Sequence, residues 1–87
     1  MWHVYILRCN DDSFYTGITT DIKERLVRHN CGSGSQYTKL RRPVELLYTE
    51  CFENKGAAKK REIEIKGFSI ANKKRLIKFG TGERFPT

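Results

Sequence analysis

"WHVYILRCNDDSFYTGIT", residues 2–19, is the stretch whose reading decides the fold. Residues 2 to 9 are aromatic and β-branched enough for a strand, "NDDS" is a turn cluster, and "FYTGIT" is a second strand, so the two form a hairpin. The parity of the loop sets the register. An even loop puts Tyr5 and Tyr15 on opposite faces. An odd one, Asn10 to Asp12 with Cys9 facing Ser13, sets Tyr5 opposite Gly17 and Tyr15 opposite Leu7 on the same face. Gly17 then leaves room beside the Tyr5 ring. Two half-buried strand tyrosines without a joint role are an equal reading at this point.

Outward from the hairpin, Thr20 or Asp21 can cap a helix, and Asp21-x-x-Glu24 loosely fits a capping box. Ile22, Leu26 and Val27 give that helix a modest apolar stripe, and the glycines of "NCGSGS", residues 30–35, end it. "QYTKLRRP" is loop or one irregular turn. "VELLYTECF", residues 44–52, is a third strand. Asn54 caps a second helix over "KGAAKKREIEIKG", and Ser69 caps a third, "SIANKKRLIKF", with Ile70, Leu76 and Ile77 available to the core. The order ββαβαα implies an α+β fold: a small three-stranded, largely antiparallel sheet flanked by helices. Residues 1–80 are expected to form one domain, with 81–87 a polar C-terminal tail that only Phe85 could anchor.

An 87-residue chain can bury about 60–65% of its unfolded surface, enough for one core without disulfides. No apolar run approaches the ~18 residues of a membrane span, and no signal peptide or repeat is evident. The three cysteines, Cys9, Cys31 and Cys51, are scattered without a C-x-x-C pair. They are read as free thiols in a reducing cytoplasm, not as a zinc site. Seventeen Lys and Arg against ten Asp and Glu leave a formal charge of +7. That field attracts polyanions, nucleic acid foremost, although charge alone also serves solubility.

Three groups of residues can carry chemistry. Arg25 and His29, four apart, share one helix face. They offer a phosphate fork backed by a titratable imidazole, or simply a solvated basic face. Tyr5 and Tyr15 form the second group if the loop is odd. Glu62 and Glu64 lie on opposite sides of the second helix, so one of them can face the sheet and hold a hard cation; composition does not choose between them.

Taken together, "HVY" at 3–5, "YTG" at 15–17, and Asp21, Arg25 and His29 beyond them resemble the GIY-YIG nuclease domain. "SQYTKLRRPVELLYTE" and "REIEIKGFS" are similar to its small stand-alone bacterial members. His3 stands in place of the first glycine of the motif, and Val4 and Thr16 replace its two isoleucines. No second, specificity-giving module is found, and Asn72 is only a loose counterpart of an asparagine that some relatives carry.

The resemblance implies Tyr5, Tyr15, Arg25 and His29 as catalytic residues and Glu62, not Glu64, as the ligand of Mg²⁺ or Mn²⁺. It implies an endonuclease hydrolysing DNA phosphodiesters, on structured or damaged DNA in repair or recombination. Lys39, Arg41, Arg42, Lys59, Lys60, Lys66, Lys73 and Lys74 would grip the nucleic-acid backbone. The expected partner is therefore DNA, with a protein partner open and no membrane. The alternative is a non-catalytic nucleic-acid-binding module using the same basic face.

Overall fold

The first hairpin closes through a three-residue loop, which fixes the register of the sheet. In the computed structural model, which describes residues 1–85, β1 (Trp2–Arg8) and β2 (Phe14–Thr19) run antiparallel. The Cys9 N–H donates to the Ser13 carbonyl at 2.8 Å and the Asp12 N–H to the Cys9 carbonyl at 2.9 Å. Asp12 takes φ 65°, the left-handed residue that ends a loop of this length and that aspartate tolerates better than most residues. The odd loop pairs Tyr5 with Gly17 and Leu7 with Tyr15, so both tyrosines stand on one face.

Strand β3 (Glu45–Phe52) pairs antiparallel with the other edge of β1. Ile6 faces Tyr48 while Leu7 faces Leu46, so Leu47 is the extra residue of a bulge. Its effect is to turn Leu47 and Tyr48 into one core cluster while Leu46 packs in the other.

The sheet has four strands, not the three expected. β4 (Glu83–Arg84) pairs with Tyr48 and Thr49, completing the order β2-β1-β3-β4. Two polar residues carry no alternation that a sequence could display. Backbone N–H groups on either side anchor them: the Gly82 N–H donates to the Tyr48 hydroxyl at 2.9 Å and the Phe85 N–H to the Leu47 carbonyl at 3.1 Å.

Helices cover both faces. α1 (Ile22–Cys31) starts at Asp21, whose carboxylate accepts from the Glu24 N–H at 3.1 Å, and the one-turn α2 (Gln36–Lys39) starts at Ser35, which accepts from the Thr38 N–H at 3.1 Å. α3 (Lys55–Lys66) and α4 (Ile70–Phe79) start at Asn54 and Ser69 in the same way. Each such cap is worth about 1 kcal/mol. Val4, Ile6, Leu47, Tyr48, Ala58 and Ile65 form the core beneath α3 and α4; Tyr5, Leu7, Cys9 and Val44 form a second with Ile22 and Leu26 of α1. Val27, expected on the apolar stripe of α1, is turned to solvent at 61% exposure. The fully buried side chain of α1 is His29. Among the described residues no helix is long and apolar enough to cross a membrane.

Candidate active site

Tyr5 and Tyr15 project from neighbouring strands with ring centroids 6.3 Å apart. Tyr5 is buried, and the absence of a side chain at position 17 is what admits its hydroxyl. A Cβ on Gly17 would sit 2.5 Å from Tyr5 Oη and 2.7 Å from Cζ, inside van der Waals contact. The glycine of the second strand and the tyrosine of the first are one steric unit.

Helix α1 adds the next two groups. Ile22, Arg25, Leu26 and His29 follow the i, i+3, i+4, i+7 spacing of a core-facing stripe, and two of those four places hold polar side chains. His29 Nε2 lies 2.8 Å from Tyr5 Oη, and Nδ1 lies 2.7 Å from Thr38 Oγ1. The His29 ring also meets Tyr15 edge-on, with centroids 5.1 Å apart. Gly34 passes so close over the ring that a Cβ there would collide with Nδ1. Burial, aided by the Arg25 charge, lowers the His29 pKa to about 4, so the imidazole is neutral near pH 7. Burial and then the Tyr15 hydroxyl raise the Tyr5 phenol well above its usual range; Arg25 opposes this and Glu62 adds to it. The site therefore holds a protonated phenol against a neutral imidazole.

Arg25 is half-buried, and its Nε is fully enclosed without a hydrogen-bond acceptor. A guanidinium has only donors, so this one is left with a proton to give.

Glu62 projects from the buried side of α3, whereas Glu64 is exposed and pairs with Arg61. The Glu62 side chain is 6% exposed, with Lys59 Nζ 2.8 Å from Oε1 and Lys66 Nζ 3.3 Å from Oε2. Both carboxylate oxygens are thus held by ammonium groups from the same helix, and the Lys59 pairing raises that lysine's pKa. A buried carboxylate balanced only by displaceable ammonium groups suits a hard cation, and Mg²⁺ needs only one or two carboxylates with waters completing its shell. Among the described residues no group of three or more His, Cys, Asp or Glu gathers as a metal site, at Glu62 or elsewhere.

Two further residues stand at the rim. Tyr37, from α2, lies nearly parallel to Tyr15 at 5.9 Å, and the Arg41 guanidinium sits 3.9 Å from the Tyr37 ring centroid. Arg41 is tied to the hairpin turn through Asp11 at 3.0 Å and to the Tyr37 carbonyl at 2.9 Å.

The family model for the GIY-YIG catalytic domain matches residues 1–75. The chain belongs to the GIY-YIG family. This is a nuclease family whose members in general depend on a divalent metal and act on DNA. Among its relatives, the UPF0213 protein of Staphylococcus saprophyticus is 51% identical over 78 residues, covering 90% of this chain and 95% of the relative. The UPF0213 protein of Natronomonas pharaonis is 49% identical over 80 residues, covering 92% and 94%. The solution structure of the UPF0213 protein of Bacillus halodurans is similar at 42% identity with a TM-score of 0.58, covering 90% of this chain and 84% of that one. A second, from E. faecalis, is similar at 40% identity and 0.60, covering 87% and 81%.

Within this GIY-YIG domain the expected nucleic-acid contacts do not form one set. Arg41 is engaged with Asp11 and Tyr37, and Arg42 donates to the Lys39 and Asn30 carbonyls. Lys59 and Lys66 face Glu62. Lys39 and Lys60 are exposed, Lys73 and Lys74 lie on α4, and among the described residues no side-chain partner engages these four. Thr38 and Tyr37 escaped the sequence reading. The signal for Thr38 was Ser35-x-x-Thr38, a capped turn that follows two glycines.

Proposed function

We propose that the chain is a metal-dependent endonuclease that hydrolyses DNA phosphodiester bonds. One juxtaposition carries the reading: a phenol bonded to a neutral imidazole within the field of a buried carboxylate that only two lysine ammonium groups occupy. Glu62 would hold the ion. When bound there, Mg²⁺ or Mn²⁺ supplies Lewis-acid polarisation of the scissile phosphate and offsets charge on the leaving oxygen.

The protein's own groups do the rest. Tyr5 Oη accepts a proton from the attacking water as its own proton passes to His29 Nε2, so neither a free phenolate nor a strong base is required. The water oxygen bonds to phosphorus, the bond from phosphorus to the leaving oxygen breaks, and the imidazole ends protonated. The imidazolium so formed has a pKa of about 4 and holds its proton only in passing, giving it up to solvent or to the leaving oxygen as that oxygen departs. Arg25, with an unengaged Nε–H, neutralises the phosphate oxygens as charge builds. Tyr15, in edge contact with His29, orients the water or the phosphate. Lys39, Lys60, Lys73 and Lys74 hold the backbone without reading bases, which suits structured or damaged DNA of the kind met in repair or recombination. Lys59 and Lys66, which face Glu62, would be free to meet phosphate once a cation was held there.

The test is a panel of linear, nicked, flapped and branched DNA, with RNA counterparts, incubated with Mg²⁺, Mn²⁺ or EDTA. Cleavage of at least one DNA substrate that EDTA abolishes is expected. Tight binding with no cleavage on any substrate would establish the non-catalytic binding module instead.

A further inference from the structure

We propose that Thr38 is a positioning residue: its hydroxyl oxygen accepts the His29 Nδ1 proton and so holds the imidazole in the tautomer whose Nε2 is open to the Tyr5 proton. The catalytic meaning of this inference rests on the function proposed above; its structural content does not.

The argument is a count of donors and acceptors. Tyr5 Oη is enclosed, and His29 Nε2, at 2.8 Å, is the partner it bonds. The nearby Arg25 guanidinium has only donors and cannot take the phenol proton, which is left to His29. A neutral imidazole carries one proton. With Nε2 accepting, that proton is on Nδ1, and the atom facing Nδ1 is Thr38 Oγ1 at 2.7 Å.

Thr38 is fully buried and can receive it, because its own proton has a place to go. Ser35 Oγ lies 2.9 Å from Thr38 Oγ1, and the Ser35 carbonyl, which only accepts, lies 3.5 Å away. The opposite arrangement has Thr38 donating to Nδ1 and Nε2–H donating to Tyr5. It leaves the buried phenol proton without an acceptor, the costlier of the two states. The placement is local and rigid. Ser35 caps the turn that carries Thr38, and Gly34 lets that turn close over the imidazole edge.

The experiment reads the tautomer directly. Long-range ¹H–¹⁵N spectra of ¹⁵N-histidine-labelled protein at pH 7, without DNA or metal, report each ring nitrogen as pyrrole-type or pyridine-type. Wild type is expected to show Nδ1 as pyrrole-type and Nε2 as pyridine-type. Thr38→Val removes the acceptor at nearly constant volume and should lower the Nδ1–H to Nε2–H ratio at least tenfold; Thr38→Ser should restore it. Thr38→Ala serves if the valine variant does not fold. A wild-type spectrum with Nε2 protonated, or an Nδ1–H tautomer that survives loss of the hydroxyl, overturns the assignment. Because no substrate is present, a protein with the stated tautomer but no nuclease activity sinks the proposed function and leaves this inference standing.

Discussion

Tyr5 and His29 are 24 residues apart in the chain, and a 2.8 Å hydrogen bond joins the phenol to Nε2 inside the fold. The bond crosses from the central strand to α1, so it depends on hairpin register and helix phase together. It also joins two groups that burial keeps uncharged.

Removing the phenol hydroxyl tests that bond first. Tyr5→Phe keeps the ring but leaves the buried Nε2 without its donor, a loss of about 1–3 kcal/mol in unfolding free energy. If Tyr5 relays the proton, single-turnover cleavage should fall by about 10²-fold or more. Denaturant unfolding and cleavage time courses check the two effects separately.

Position 17 tests the packing around the same ring. In Gly17→Ala the new methyl meets Tyr5 Oη and Cζ at 2.5 and 2.7 Å, so the ring must move or the strands must part. Destabilisation of about 1–3 kcal/mol is expected, with impaired cleavage even where the protein stays folded. An alanine variant with wild-type stability and activity would show that the ring has room to spare.

His29 makes stability depend on pH in a definite direction. Its pKa is about 4 in the folded chain against about 6.5 unfolded. Between those values the unfolded state binds a proton that the folded state refuses, so stability rises with pH across the window. The contribution is complete above about pH 6.5 and is lost as the pH falls through about 4. Melting curves from pH 7 down to 4.5 should show a steeper loss for wild type than for His29→Gln. Parallel curves would mean that the imidazole titrates normally.

How much of this was legible in the sequence differs from residue to residue. The hairpin was, because two alternating runs around a turn cluster leave only loop parity open, and the odd choice pairs Tyr5 with Gly17 as observed. The helix caps at Asn54 and Ser69 were too, and Asp21 was one of two candidates with Thr20, since short polar side chains before helical runs have few other uses. The phase of α1 was not. Hydropathy favours Val27 inward, whereas the chain buries His29, whose two ring nitrogens find partners on Tyr5 and Thr38. Strand β4 was invisible because two polar residues, Glu83 and Arg84, are held by backbone bonds to a strand some 35 positions earlier (Thr49↔Glu83, Tyr48↔Arg84). Glu62 could be told from Glu64 only through the family pattern, and the fold supplies the reason, with one side chain facing in and the other out.

Salt dependence tests the nucleic-acid face. Lys73 and Lys74 project from α4 with no ion-pair partner among the described residues. If each contacts a phosphate, Lys73→Ala and Lys74→Ala should each reduce the slope of log K against log salt by about 1. Affinity should fall by similar amounts on unrelated DNA sequences. Unchanged slopes would move the DNA path away from α4.

The most direct measurement is single-turnover cleavage of the best substrate by wild type and Glu62→Gln across a Mg²⁺ titration, with thermal melts of both proteins alongside. The amide keeps the side-chain shape and removes the charge that faces Lys59 and Lys66. The expected result is a folded variant whose cleavage is reduced at least ~10²-fold at every metal concentration, and whose melting temperature no longer rises with added Mg²⁺ as that of wild type does. A Glu62→Gln protein that cleaves at the wild-type rate with the same metal dependence would contradict the assignment of the metal and of the site built around it.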